Sequence, residues 1–337
     1  MDDIKAWHTR IELRSGWYAV ALSSDLKDKP LRVMFDGQAY VLWRDGGRIG
    51  SKIGALADIC PHRGAPLSLG RIQDGGVVCP YHGWRFERDG RCSHMPALAS
   101  PAPAFIAPVQ AAEGDGFVFL GRHAADLPLP IAPLVPGGTS VIMTGQVATT
   151  LGDFAENILD TTHTSVVHGG YLRGTDGRQP VTPTVVTGLD WIEAHYPPAA
   201  TPDGFMGRFM GQGGYHITDR FRAPNITEVE YRQNGRLVFG TRFHLTPTEA
   251  GQIRAFGTMA LAGQSWLTRA KISMLQVLFQ RIIAEDRMIL NAVSANRAAF
   301  GRTPHYIAPQ DVLRAGIDAL LRGDSPAVPA RMPDMLV

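Results

Sequence analysis

The sequence predicts an α+β protein of two domains: a small N-terminal β-sandwich, then a larger domain in which an antiparallel sheet lies between an early and a late helix. Three observations predict it. Residues 17–120 read as short β-rich runs parted by Gly and Asp turns. Proline is dense from Pro96 to Pro136 with no helical period, which marks a connector and divides the chain near residue 125, into 1–125 and 126–337. Beyond it, a long section of alternating apolar and polar residues has helical periodicity on either side. A chain of 337 residues suffices for two ordinary domains with separate cores.

In the first domain the expected strands are Trp17–Leu22, Leu31–Phe35, Gln38–Trp43, Ile53–Ile59, Gly76–Cys79, Trp84–Phe86 and Gly116–Leu120. The turns between them carry Asp36-Gly37, Asp45-Gly46-Gly47, Asp74-Gly75-Gly76 and Arg88-Asp89-Gly90. Two loops interrupt this pattern, Cys60-Pro61-His62-Arg63-Gly64 and Cys79-Pro80-Tyr81-His82-Gly83-Trp84. They supply two thiols and two imidazoles as Cys-x-His, sixteen residues, Cys-x2-His. Two metal centres fit that composition. Zinc accepts four mixed nitrogen and sulfur ligands. A Rieske [2Fe–2S] cluster holds one iron by two Cys and the other by two His. Spacing favours the cluster, because zinc motifs group their Cys as one close pair and their His as another, whereas each loop here supplies one of each. The prolines after the cysteines and the glycines after the histidines let the chain bend around a cluster. Trp84 is placed to shield one side of it. The two loops resemble the ligand loops of the Rieske family almost letter for letter.

Composition narrows the function. A net charge of +2 with 19% charged residues argues against a nucleic-acid footprint. No apolar run has the length of a membrane span, and Met1-Asp2-Asp3 opens no signal peptide, so the expected location is cytoplasmic. Of three cysteines, Cys92 is left over and is given no role.

In the second domain a first helix is expected over Leu151–His168, then strands over Gly214–Arg222, Ile226–Arg232, Arg236–Leu245 and Ile253–Leu261. A second helix follows from Ser265 to Phe300, then a short one near Gln310–Arg322 and a loose Pro-rich tail. The first helix carries Asn157, Asp160, His163 and His168. Asp160 and His163 share a helix face. His163 and His168 stand roughly 140° apart on a regular helix, so they meet one ion only if the helix widens or ends, and Gly169-Gly170 is a plausible stop. Two imidazoles and a carboxylate make the facial triad of a mononuclear non-haem Fe(II) site. On the late helix, Asp286 falls within about 20° of the centre of the apolar face and Glu285 about 80° off it. A metal ion would offset the cost of burying Asp286; the competing reading pairs Asp286 with Arg281 or Arg287.

The full set resembles the catalytic α subunits of Rieske non-haem iron oxygenases, over nearly the whole chain and with the motifs in the family's order. The spacing of Asn157 and Asp160 and the modest length look like the α-only branch with vanillate and dicamba O-demethylases. The resemblance implies a helix-grip second domain, with the sheet around the long helix, and a ring of three identical subunits. It implies that Cys60, His62, Cys79 and His82 hold the [2Fe–2S] cluster and that His163, His168 and Asp286 hold Fe(II). It implies that His82 of one subunit reaches Asp160 of the partner subunit, and that Asp160 orients His163, with Asn157 beside the site. Electrons would come from NAD(P)H through a separate flavin and ferredoxin-type reductase, consistent with the lack of a G-x-G-x-x-G fingerprint after a strand. The oxidant would be O2, the reaction demethylation or hydroxylation of a substituted aromatic acid or related ring compound, and the alternative cis-dihydroxylation.

The pocket is less legible. Tyr215, Ile217, Phe221, Phe239, Phe243 and Leu245 alternate toward one strand face, and His216, Arg220, Arg222, Arg242 and His244 toward the other. The first face is pocket lining or core, the second a solvated face, and the candidates for holding a substrate carboxylate are Asn225 and His244, or another of these Arg and His residues. Two functions of other classes compete: a Rieske electron-transfer protein without oxygenase activity, which has no use for His163, His168 and Asp286, and a two-site zinc protein.

Overall fold

The structure, a computed structural model, describes residues 13–44, 46, 48–171, 179–198, 204, 214–301 and 306–336. The chain divides into two units. One holds Ser15–Ala132 with Thr246–Ala250, and the other holds Pro133–Leu245 and Gly251–Val337. The division therefore falls at Ala132/Pro133 rather than at 125, and a short return segment belongs to the N-terminal unit.

The N-terminal unit is all β. Its strands are β1 (Gly16–Leu22), β2 (Leu31–Phe35), β3 (Gln38–Arg44), β4 (Ile53–Ala57), β5 (Arg71–Gln73), β6 (Gly76–Val78), β7 (Arg85–Phe86), β8 (Cys92–His94), β9 (Gln110–Gly114) and β10 (Phe117–Arg122). They form sheets ordered β1-β10-β9, β2-β3-β4 and β5-β6-β7-β8. β2–β3 and β5–β6 are two-residue hairpins. Asp36 (φ 51°) with Gly37 (φ 73°), and Asp74 (φ 49°) with Gly75 (φ 78°), take the left-handed conformations such turns demand. Asp45 and Gly47 lie outside the described residues. β4 stops at Ala57, short of the expected Ile59, because the Asp58 carboxylate accepts from Arg32 (2.6 Å) and from the Ser68 N–H (2.8 Å) and draws the chain out of the ladder. β5, β8 and β9 are short strands the residue pattern did not announce. Trp43, Leu56, Val77 and Phe86 pack with Cys60 and Cys79 in one core, so the thiols sit on a rigid floor.

The second unit is built on a seven-stranded antiparallel sheet ordered β11-β18-β17-β16-β15-β14-β13. These are β11 (Gly138–Ala148), β13 (Thr184–Thr187), β14 (Trp191–Tyr196), β15 (His216–Arg222), β16 (Ile226–Gln233), β17 (Arg236–Pro247) and β18 (Gln252–Ala262). The helices are α1 (Leu151–Leu159), α2 (Thr164–Val167), α3 (Trp266–Phe300) and α4 (Arg314–Arg322). α3 starts where the Ser265 hydroxyl accepts from the Thr268 N–H at 3.1 Å. It lies along the edge strand β11 and takes up backbone groups there: Gln276 donates to the Ile142 carbonyl (2.9 Å) and Asn291 accepts from the Ala148 N–H (2.8 Å). The tail is not loose throughout, because β19 (Met335–Leu336) pairs with β12 (Pro180–Val181).

The expected single helix over 151–168 is two helices. Asp160 leaves the helical region (φ −84°, ψ 115°). Its carboxylate then accepts from the Thr162 N–H and Oγ1 (both 2.7 Å) and from the His163 N–H (3.3 Å), starting a new turn in a different direction.

Candidate metal centres

The two Cys loops are one turn built twice. The Cys60 N–H donates to the Ala65 carbonyl (2.8 Å), and the Cys79 N–H to the Trp84 carbonyl (2.8 Å). Gly64 and Gly83 donate back to the Cys60 and Cys79 carbonyls at 2.8 and 3.2 Å. Both glycines have positive φ, 74° and 71°, a conformation that a side chain would strain. Cys60 and Cys79 are buried, whereas His82 and Tyr81 reach the surface. His62 lies flat on Trp84, centroids 4.6 Å apart and planes 1° apart, and its ring is 4.4 Å from that of His82. Burial and the adjoining Cys79 thiol push the Cys60 thiol up to about 11. The His62 Nδ1 is buried and has no hydrogen-bond partner. Two buried thiols beside a buried, unpartnered imidazole nitrogen fit a bound cationic cluster, which deprotonates coordinating thiols and accepts the nitrogen lone pair.

The second centre gathers side chains from four places. α1 contributes Asn157, the break after it Asp160 and His163, the end of α2 His168, and the middle of α3 Glu285 and Asp286. One ligand atom each from His163, His168 and Asp286 lies within 4.8 Å of the others. His163 Nε2 is 3.5 Å from Asp286 Oδ1, and His168 Nε2 is 3.0 Å from the same oxygen. Asn157 Nδ2 donates to that oxygen at 3.3 Å. Each imidazole is held at its other nitrogen by an acid: His163 Nδ1 by Asp160 (3.2 Å) and His168 Nδ1 by Glu285 (2.8 Å). An N–H donated to those acids leaves both Nε2 lone pairs aimed at one point. The acids dominate the electrostatics. Burial pulls the His163 pKa down, but Asp160 and Asp286 outweigh it and lift it to about 9. Burial raises Asp286, and the two imidazoles override that and bring it to about 2. A divalent cation in place of the imidazole protons satisfies the same donors, so this set fits a metal ion.

Asp286, not Glu285, faces both imidazoles, and neither acid is drawn off to Arg287; Arg281 approaches Glu285 at 3.8 Å. Glu285 is the residue that sequence reasoning passed over. Its angle on the helix placed it off the apolar face, but a glutamate arm reaches sideways to a ring that the shorter aspartate meets head-on.

A cavity of about 130 Å³ opens beside His163, His168 and Asp286. Its walls include Ile217, Phe239 and Phe243 from the sheet and Ile282 and Ile283 from α3, whereas Tyr215, Phe221 and Leu245, on the same strand face, pack in the core. Asn225 and His244 do not line it. His244 opposes Ile226 and stands two residues from Phe243's neighbour Arg242, on the sheet face turned away from the cavity. Burial, with the Arg242 charge, holds its imidazole down at about 3, so it is neutral. Asn225 is buried in the turn before β16.

Comparison with known proteins adds three findings. The Rieske [2Fe–2S] domain family matches residues 16–111, and the vanillate O-demethylase oxygenase C-terminal domain family matches residues 147–331. The oxygenase component of dicamba O-demethylase from Stenotrophomonas maltophilia is 27% identical over 321 residues, 85% of this chain and 89% of that protein. The vanillate O-demethylase oxygenase subunit from a Pseudomonas species is 37% identical over 151 residues, 41% of this chain and 43% of the relative. The match to chlorophyllide a oxygenase of Chlamydomonas reinhardtii, 36% identical, spans only 24% of that longer protein. Among solved structures, dicamba monooxygenase bound to 3,6-dichlorosalicylic acid superposes with a TM-score of 0.76 at 23% identity, covering 92% of this chain and 97% of the other. The QL mutant of Pseudomonas putida NdmA with caffeine gives 0.71 at 20%, covering 96% and 92%. At these identities the structural likeness is one of fold.

Proposed function

The chain belongs to the vanillate O-demethylase oxygenase family, with a Rieske [2Fe–2S] domain ahead of its oxygenase domain, and on that premise we propose that it is the terminal oxygenase of a multicomponent monooxygenase that demethylates or hydroxylates a substituted ring compound. One observation carries the reading: two imidazole nitrogens and a carboxylate converge beside an apolar cavity, in a chain that also carries the two Cys–His loops.

Cys60, His62, Cys79 and His82 would hold the cluster, and His163, His168 and Asp286 the ferrous ion. When bound, these groups supply single electrons and the activation of dioxygen. The chain's own residues do the rest. Asp160 accepts the His163 Nδ1 proton and Glu285 that of His168, so both rings keep the tautomer that presents Nε2. Asn157 fixes the Asp286 carboxylate. The Phe and Ile walls exclude water and position the ring. The exposed edge of His82 faces the surface, which suits electron entry from another protein. That partner is an NAD(P)H-dependent flavin and ferredoxin-type reductase. In the ring of three subunits, His82 of one subunit meets Asp160 of the partner subunit. No helix among the described residues is long and apolar enough to cross a membrane, and the enzyme works in the cytoplasm.

The test is turnover of the iron-loaded protein with NADH, a Rieske-type reductase and a panel of methoxy-, methylamino- and methyl-substituted rings. Formaldehyde with the matching demethylated ring is the expected result. A singly oxygenated product without formaldehyde would replace demethylation by hydroxylation, and a dihydrodiol would overturn monooxygenation. A colourless protein containing zinc would overturn the whole reading.

A further inference from the structure

We propose that the cavity beside His163, His168 and Asp286 selects ring compounds that present N–H or O–H donors, such as amides, lactams, amines or phenols, and discriminates against ring carboxylates. The proposal rests on the oxygenase reading above and sharpens its substrate class.

The cavity is mostly apolar, so its few polar atoms decide what it recognises. Asn157 has its amide orientation settled by the bond from Nδ2 to Asp286, which turns Oδ1 away from the carboxylate. That Oδ1 is buried, has no partner and belongs to a residue lining the cavity. Thr161 also lines the cavity; it is 8% exposed, and its Oγ1 is buried without a partner. Thr164, Tyr231 and Thr241 line it too, and so does Asp219. It stands mid-strand in β15, between Ile217 and Phe221 on the same face, and opposite Ala194 and Val229. It lines the cavity at 2% exposure, where the alternation calls for an apolar residue. A carboxylate accepts along about four directions, so a protein contact does not exhaust it.

Asn157 Oδ1 accepts hydrogen bonds and does not donate them, an ionised Asp219 does the same, and the hydroxyls of Thr161, Thr164, Tyr231 and Thr241 accept as well as donate. The sheet's positive charge is on its other face. Arg220 and Arg242, one residue along from Asp219 and Thr241, turn outward into closed pairs with Glu193 and Glu228. Among the described residues, no lysine or arginine lines the cavity. A carboxylate on the ligand would be desolvated beside the Asp219 carboxylate, at a cost, whereas an N–H or O–H would satisfy Asn157 Oδ1 and Thr161 Oγ1, which have no protein partner.

The experiment is calorimetric titration of the iron-loaded enzyme with three probes of one shape: para-methoxybenzamide, its N,N-dimethyl amide and para-methoxybenzoate. The primary amide should bind at least tenfold more tightly than either of the others. Asp219→Asn should cut the preference for amide over benzoate at least tenfold. Thr161→Val should weaken the primary amide severalfold and leave the dimethyl amide unchanged. Melting temperature and the visible spectrum of the cluster confirm that each variant is folded. Benzoate binding as tightly as the amide, no binding by the primary amide, or an amide-to-benzoate ratio untouched by Asp219→Asn would each overturn the proposal. Formaldehyde is measured separately. Its absence from a tightly bound amide counts against demethylation and not against the donor preference, and its release from a preferred benzoate does the reverse.

Discussion

Asp160 makes four contacts with one carboxylate, and they have different jobs. Oδ1 builds the turn through Thr162, while Oδ2 faces the backbone and ring of His163. Asn at this position keeps one oxygen for the turn and loses the charge opposite the ring. Asp160→Asn should therefore keep cluster and iron while turnover falls about tenfold or more, and Asp160→Ala should in addition lose about 1 kcal/mol of local capping. Iron and cluster content beside steady-state rates separate the two effects, and normal turnover in Asp160→Asn would refute the role. The neighbouring acids on α3 are distinguished in the same way. Asp286→Ala removes a ligand and should abolish iron retention. Glu285→Ala leaves three ligands but frees the His168 ring, and should weaken ferrous affinity about tenfold in a chelator competition. The reverse order would exchange their roles. The proposed ligand set stands out in the sequence because Cys, His and Asp at these spacings have few other reasons to occur. Glu285 was not, because a helical wheel gives the angle at which a side chain leaves the axis and not how far its arm bends. Asn225 and His244 were chosen for polarity alone, which does not say which face of a strand meets the cavity.

At the scale of elements, the clear signals were strong periodicity and strict turn chemistry. α3 and the hairpins at Asp36-Gly37 and Asp74-Gly75 stand where their residues put them. β11 was missed because Ile142 on the polar parity and Gly145 on the apolar one blur its alternation, and because its stability comes from pairing with β18 and from two α3 side chains. The break at Asp160 was foreseen only as a widening or an end, since a lone Asp inside a helical pattern does not announce that it will cap the next turn. The outward face of the sheet carries its own prediction. Glu228 is nearly buried between Arg220 (3.0 Å) and Arg242 (2.7 Å). Burial alone would raise its pKa, but the two guanidinium groups hold it below the ordinary carboxylate value. A depressed folded pKa stabilises the fold above the unfolded value of about 4.3 and ceases to do so as pH falls through the folded one. Glu228→Gln should cost about 3 kcal/mol at pH 7 in urea unfolding, with the gap to the parent narrowing below pH ~4. An equal gap at both pH values would show that ionisation of Glu228 contributes nothing.

For the whole molecule, the sequence showed two units and the centre in each, but neither the division at Ala132 nor the return of Thr246–Ala250 to the first unit. Such a return is a long-range contact, and no local pattern records it. The proposed ring makes a quantitative claim about how the two centres cooperate. Take one subunit with Cys79→Ser, which loses the cluster and keeps the mononuclear site, and another with His163→Ala, which keeps the cluster and its visible spectrum and loses the iron. Neither alone should turn over. Co-expressed with different tags and purified through both, they form rings containing each kind. In a closed ring of three with head-to-tail interfaces, a mixed ring of either composition has one interface at which an intact cluster faces an intact iron site. If electrons pass from His82 to Asp160 of the partner subunit, such rings should turn over at about one third of the parent rate per ring. Transfer within a chain predicts no recovery, because no single chain then holds both centres. A recovered fraction far from one third would reject three as the ring size, and no recovery from verified mixed rings would reject the crossing itself.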